Sequence, residues 1–250
     1  MIKDSENEMK LSIHQPSYFP WLGLLSKIAN SDMYVLMDDV QLADRAYQHR
    51  NIFLDKEGSI RYLTIPINKK GYRKKSIKEL SIANSEWQKQ HVNFLKINYG
   101  RHLYFDQVYC NIKNIYKRKY DFLIDVLVDS MRVVLQMFSI DTKVVMQSDI
   151  AYDKSKKKND LIISLVQALN AQIYLSGFGA RDYIVKKDFQ KKNIKLMFNI
   201  FKHPTYYQVN SPTFVFGLSS LDILFNLGIE ESIKIFNMSS ENNLEDDDQW

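Results

Sequence analysis

Residues 11–50 read LSIHQPSYFPWLGLLSKIANSDMYVLMDDVQLADRAYQHR, and this stretch decides the fold. Leu11, Ser12 and Ile13 form a short apolar run that reads as a strand and sets His14 and Gln15 at its end. Proline fixes φ and lacks an amide hydrogen, so Pro16 and Pro20 interrupt regular structure and leave Ser17, Tyr18 and Phe19 as a fixed turn. Pro20 suits the first position of a helix, which the spacing of Leu22, Leu25, Lys27, Ile28 and Ala29 carries to about Ala29. Asn30, Ser31 and Asp32 end it. A second strand, residues 33–37, delivers Asp38 and Asp39 at its carboxyl end. Strand, helix and strand in close succession make a βαβ unit with parallel strands and a right-handed connection. Ligands of such sheets bind outside the carboxyl ends of the strands. That is where His14, Gln15, Asp38 and Asp39 are expected to meet.

Downstream, the loop at residues 40–51 is dense in planar or charged groups: Gln41, Asp44, Arg45, Gln48, His49, Arg50 and Asn51. Such groups present fixed donor and acceptor arrays suited to substrate recognition, where a merely solvated loop favours Lys, Glu, Ser and Gly. Residues 51–67 read as a hairpin turning at Lys56-Glu57-Gly58, followed by a basic loop at 68–75 and another strand at 76–82. Asn84 and Ser85 cap a helix in which Ser85 and Gln88 have capping-box spacing and Trp87, His91, Phe94 and Leu95 share a face. A helix pair is expected over 104–139, a strand over 141–147, and a helix from Asp160, as N-cap, to about Asn170.

A second informative stretch, residues 171–183, reads AQIYLSGFGARDY. A short buried strand, 173–175, runs into Ser176-Gly177-Phe178-Gly179 and then a helix beginning near Ala180. Strand, glycine-rich turn and helix N-terminus together make an anion site from backbone amides, with Arg181 in the first turn. Further elements are a strand at 194–201 and a helix at 221–227, capped by Ser219 or Ser220 and stopped by Gly228. The expected organisation is a leader at 1–9, one catalytic domain at 10–238 and an acidic flexible tail at 239–250.

The chain of 250 residues is long enough to bury a sizeable core, and its 45% hydrophobic and 25% charged residues are ordinary for a globular protein. Its net charge of +5 allows phosphate or nucleic-acid partners. The single cysteine, Cys110, excludes an intrachain disulfide framework and reads as buried and inert in an apolar helix. No apolar run approaches the ~18 residues of a membrane span, and the polar start carries no signal peptide. Together these place the protein in the cytoplasm.

Several blocks resemble the WbqC-like family of bacterial surface-polysaccharide gene clusters. They are His14-Gln-Pro-Ser-Tyr-Phe-Pro-Trp-Leu-Gly23, Asp38-Asp39-Val40-Gln41, Gln48-His49-Arg50-Asn51, Asn98-Tyr99-Gly100, Tyr174-Leu175-Ser176-Gly177 with Arg181-Asp182-Tyr183, and the Leu218–Asn226 run. They span nearly the whole chain; Phe178 departs from the small residue or proline expected there. The resemblance implies transfer of glycine, or a similar amino acid, to an amino sugar in O-antigen synthesis. The layout is also similar to that of nucleotidyltransferases and pantothenate-synthetase-like ligases, which implies an ATP-dependent ligase as the alternative. There only His14 remains of a two-histidine motif.

The expected fold is α/β: an N-terminal βαβ, Rossmann-like parallel core with an inserted β-hairpin and several packing helices. Amide formation needs a base for the amine and stabilisation of an oxyanion. His14 or His49 is the candidate base, with Asp39 or Asp38 orienting it or holding the donor's ammonium. Arg50, Arg181 and the amides of Ser176, Gly177 and Gly179 are candidates for phosphates, and Gln15, Tyr18, Gln41 and Asn51 for the remaining substrate contacts. Zinc spacing is absent; His14, Asp38 and Asp39 are the set for Mg²⁺ beside ATP or nucleotide phosphates. The acyl donor is either activated with ATP or arrives pre-activated, and the acceptor is a nucleotide-linked or lipid-linked amino sugar. A nucleic-acid module built on Lys154–Lys158 and residues 113–120 is a third reading, opposed by the clustering of planar polar residues at strand ends.

Overall fold

The computed structural model describes residues 8–43, 47–182, 184–240 and 244–246. In chain order, β1 (Lys10–His14), α1 (Leu22–Ala29) and β2 (Met33–Leu36) form the βαβ unit, and β3 (Arg50–Leu54) and β4 (Ile60–Thr64) form the separate antiparallel hairpin. Three helices follow: α2 (Glu86–Tyr99), α3 (Phe105–Ile112) and α4 (Leu123–Met137). Then come β5 (Lys143–Met146), α5 (Asn159–Ala168), β6 (Ile173–Gly177), α6 (Lys186–Gln190), β7 (Lys195–Asn199), α7 (Leu221–Ser240) and β8 (Leu244–Asp246).

The main sheet has the order β5-β2-β1-β6-β7-β8. Its first five strands are parallel, and β8 joins the edge antiparallel to β7. Successive strand residues point to opposite faces. Leu11 and Ile13 therefore join Val35, Tyr174, Leu196 and Phe198 in a core closed by α5 and α6. The opposite face carries α1, α4 and α7, whose Leu25, Ile28, Leu127, Val134, Phe225 and Phe236 belong to the larger core. That core continues into the hairpin and α2, through Phe53, Leu63, Trp87 and Tyr99.

The proline-bounded turn is the joint between sheet and hairpin. Asn51 Nδ2 donates to the carbonyls of Tyr18 (3.0 Å) and Phe19 (2.7 Å), and its Oδ1 accepts from the Ile52 amide. Ser219 Oγ donates to the Phe19 carbonyl, and the Ser220 amide to that of Pro20. These bonds hold Phe19 at φ 42°, a left-handed conformation costing ~1–2 kcal/mol for a residue with a Cβ. Tyr18 is fully buried, its hydroxyl within hydrogen-bond distance of His91 Nδ1 and the Tyr116 hydroxyl.

Several local expectations change. Residues 76–82 hold a 3₁₀ turn, Ile77–Glu79, not a strand: Ser76 and Glu79 form a capping box that satisfies the backbone locally, and Ile77 and Leu80 are buried at helical spacing. Ser85 makes no capping bond, because it is itself helical; Asn84 Oδ1 accepts from the Glu86 amide instead. Lys158, at φ 53°, occupies the N-cap of α5, and Asp160 lies in the first turn. The glycine turn enters a 3₁₀ turn, Phe178–Ala180, with α6 starting only at Lys186, so the turn does not lead directly into an α-helix. Gly228 (φ 77°, ψ 173°) is non-helical and stops the first helical segment of α7 as expected, but a second segment resumes beyond it and runs to Ser240; Tyr104 occupies the space a Cβ at 228 would need. Cys110 is exposed, with Lys113 Nζ 3.2 Å from its sulfur. Leu244–Asp246 pairs with β7 inside the segment read as a tail. Residues 1–7 of the expected leader at 1–9, with Asp44, Arg45 and Tyr183, lie outside the described residues. Among the described residues no helix is long and apolar enough to cross a membrane.

Candidate active site

The strand order reverses between β1 and β6, and there the sheet comes apart. β1 pairs with β6 only as far as Ser12 opposite Leu175. Beyond that point β1 stays with β2, through His14 opposite Leu36, while β6 stays with β7, through Gly177 opposite Asn199. The fork opens into a cavity of about 1,300 Å³, larger than a free amino acid would fill. Crevices at such reversals are the usual ligand sites of open parallel sheets.

Four polar side chains from four elements reach this cavity: His14 from β1, Lys27 from α1, Ser176 from β6 and Asn199 from β7. Gln15, Gly177 and Gly179 also line it, as do Lys158 and Asn159 at the start of α5. Its apolar wall includes Trp21, Phe178 and Phe201, with Trp21 and Phe201 in edge-to-face contact at 5.8 Å. Trp21 folds back over Gly23, where a Cβ would strike the indole. Among the described residues, no aspartate or glutamate lines it.

His14 donates from Nδ1 to the Gln15 carbonyl at 2.8 Å, which leaves Nε2 with its lone pair. His14 is solvent-exposed at the carboxyl end of β1, where it opens onto the cavity. Protein packed behind the ring, reinforced by the Lys27 charge and opposed by the Gln15 bond, lowers its pKa below the ordinary histidine value. At pH 7 the ring is neutral.

In the sequence Lys27 is one position in a helical pattern. It is 4% exposed on a helix whose residues 22–28 are all buried. Nζ donates to the Ile13 carbonyl at 3.0 Å, and burial lowers its pKa to about 7. The available signal was a lysine where α1's spacing demands an apolar residue.

The other sequence candidates fall into three groups. Gln15, Ser176, Gly177 and Gly179 stand in the cavity with His14; Gln15 Oε1 accepts from Gln48 Nε2, and Gln15 Nε2 donates to the Gln41 carbonyl. Tyr18 and Asn51 build the turn. Asp38, Asp39, His49, Arg50, Gln41 and Arg181 stand outside the lining. Asp38 accepts from the amide and hydroxyl of Ser148. Asp39 pairs with Lys78 (2.8 Å) and Lys154 (3.4 Å), and the Lys78 hydrogen bond holds its carboxyl below the usual range. His49 Nδ1 donates to the Ile65 carbonyl, and burial lowers its pKa. Arg50 stacks on Tyr62 at 4.7 Å and Arg181 on Phe178 at 5.5 Å. His14, Asp38 and Asp39 therefore do not converge on a cation: among the described residues no three His, Cys, Asp or Glu side chains do.

The model of the WbqC-like protein family matches residues 15–234 of this chain. Among curated proteins, the chain is similar to "Uncharacterized protein Rv1507c" of Mycobacterium tuberculosis (strain ATCC 25618 / H37Rv), with 27% identity over 222 residues, covering 88% of this chain and 95% of that protein. No solved structure matches.

Proposed function

The chain belongs to the WbqC-like protein family, and from that premise we propose that it is a cytoplasmic transferase joining an amino acid, glycine first, to the amine of an amino sugar in surface-polysaccharide synthesis. Its catalytic domain begins at β1 and takes in β8, which pairs with β7 in the main sheet. The observation that carries the reading is His14: a neutral imidazole with Nε2 unprotonated, on a cavity lined by no carboxylate among the described residues. The sugar ammonium first releases one proton to solvent, and the second proton that amide formation removes from the nitrogen passes to Nε2. The freed amine attacks the acyl carbon of a pre-activated donor, the C–N bond forms, and the bond to the donor's leaving group breaks. His14 returns the proton to that leaving group. Gly177 and Gly179 carry no side chain and have open space where a Cβ would stand; backbone amides in their turn supply donors for the oxyanion.

The test is product formation, followed by mass spectrometry, from activated glycine and nucleotide-linked amino sugars. General-base catalysis contributes about 10²–10⁴-fold, so His14→Ala is expected to lose at least about 100-fold in rate with an unchanged circular-dichroism spectrum. A variant within threefold of wild type removes His14 from the mechanism. A second reading, an ATP-dependent ligase, is favoured by the position and size of the cavity, which has room for a nucleotide. Amino-acid-dependent exchange of labelled pyrophosphate into ATP would select it.

A further inference from the structure

α1 is buried almost all round, and its other buried polar side chain has partners: Ser26 is matched by Asn199 and Asn30. Lys27 is the exception. Its ammonium has three N–H donors, and the Ile13 carbonyl takes one. No carboxylate pairs with it among the described residues, and it opens onto the cavity. Ile13 is the first β1 residue beyond the last pair with β6, so the ammonium stands in the mouth of the fork. A buried cation held without a counter-charge is costly, and a ligand that brings the counter-charge removes that cost.

We infer that Lys27 is the anion-binding residue of the cavity, and that it takes the phosphates of a nucleoside diphosphate-linked substrate at the fork between β1 and β6. The inference rests on reading the fork as the substrate site. Three observations set the ligand class. The charged groups of the lining, Lys27 and Lys158, are both cationic. The volume exceeds what a lone phosphate or amino acid occupies. The indole of Trp21, 41% exposed and held edge-to-face against Phe201, offers an aromatic surface for a nucleobase or sugar. The assignment has a consequence for His14. The Lys27 charge helps depress the imidazole; a diphosphate bound against Lys27 cancels that charge and raises His14 toward working pH, so substrate binding strengthens the base.

The experiment is equilibrium binding, by calorimetry, of ADP, UDP, GDP and dTDP, their nucleosides, pyrophosphate and glycine to the full chain and to its Lys27→Met and Lys27→Arg variants. At least one diphosphate is expected to bind at least tenfold more tightly than its nucleoside and than pyrophosphate. Lys27→Met should lose at least tenfold of that affinity, and Lys27→Arg should retain part of it. No nucleotide binding, or equal binding by Lys27→Met, overturns the inference. So does pyrophosphate binding as tightly as every nucleotide, or a Lys27-dependent affinity for glycine alone. Melting curves of the variants check folding. None of these measurements needs turnover, so a protein that binds nucleotides through Lys27 yet transfers no amino acid would sink the proposed transferase and leave this site standing.

Discussion

The proline-bounded turn and the fork lie next to each other in the chain, and both are rich in polar groups, yet they treat those groups in opposite ways. In the turn, every polar atom of the Asn51 amide that makes a bond meets the main chain: two carbonyls accept and one amide donates, at 2.7–3.0 Å. At the fork, Lys27 holds one carbonyl with three donors, and His14 keeps Nε2 unprotonated. Satisfied polar clusters fix a backbone; unsatisfied ones at a cavity await a ligand. The same sequence motif, His14 to Gly23, contributes to both.

Breaking the turn should have the largest effect. Asn51→Leu leaves the Tyr18 and Phe19 carbonyls and the Ile52 amide without their side-chain partner. Each stranded buried group costs ~1–3 kcal/mol, so a loss of about 3 kcal/mol or more is expected in urea unfolding, with the left-handed Phe19 released and nucleotide binding lost alongside. A variant destabilised by less than about 1 kcal/mol would show that Ser219 and the Gln48 carbonyl, which accepts from the Tyr18 amide, hold the turn without Asn51.

The βαβ unit and the hairpin were legible because proline and hydrophobic spacing act locally. The misread segments depend on partners distant in sequence or on backbone geometry. Asn51 was legible as a side chain rich in hydrogen-bonding atoms, but not as a clamp on a turn 32 residues away. Asp38 and Asp39 sit at a strand end as expected, yet Ser148, Lys78 and Lys154 arrive from remote segments to occupy them. Lys27 was hidden for the opposite reason. Its place among the apolar positions of α1 is a signal in the sequence, but only the helix's burial against sheet and α7 shows that the ammonium lies inside the protein.

The fork should yield the reverse of the turn: a variant that gains stability as it loses ligand. Below pH 7 Lys27 is charged in both folded and unfolded chains, and the folded state carries the full burial penalty. Between about 7 and 10.5 the folded lysine is already neutral while the unfolded chain still binds the proton, so stability climbs with pH across that window. Lys27→Met removes the penalty. It should raise stability on the order of 2 kcal/mol at pH 6, with the gain fading as pH rises from about 7 to 10.5. Thermal melts of both proteins from pH 5.5 to 10.5 check this; a variant less stable than wild type at pH 6 would mean that the Ile13 hydrogen bond outweighs the burial cost.

The smallest effect is expected at Asp39, which separates position in sequence from position in the fold. Its carboxylate lies at the end of β2 beside the fork, but its bonds run to Lys78, Lys154 and the Tyr152 hydroxyl. The Lys78 and Lys154 side chains are partly exposed, 32% and 68%, and water screens such pairs to ~0.2–1 kcal/mol each. Asp39→Asn keeps the shape and removes the charge. Stability should fall by no more than about 1 kcal/mol, and nucleotide affinity at Lys27 should stay within threefold, because the cavity wall does not include this carboxylate. A hundredfold loss of transfer with affinity intact would restore Asp39 to the chemistry. It would mean that the two lysines release it toward substrate during turnover, and that the fork is wider in action than the residues now lining it.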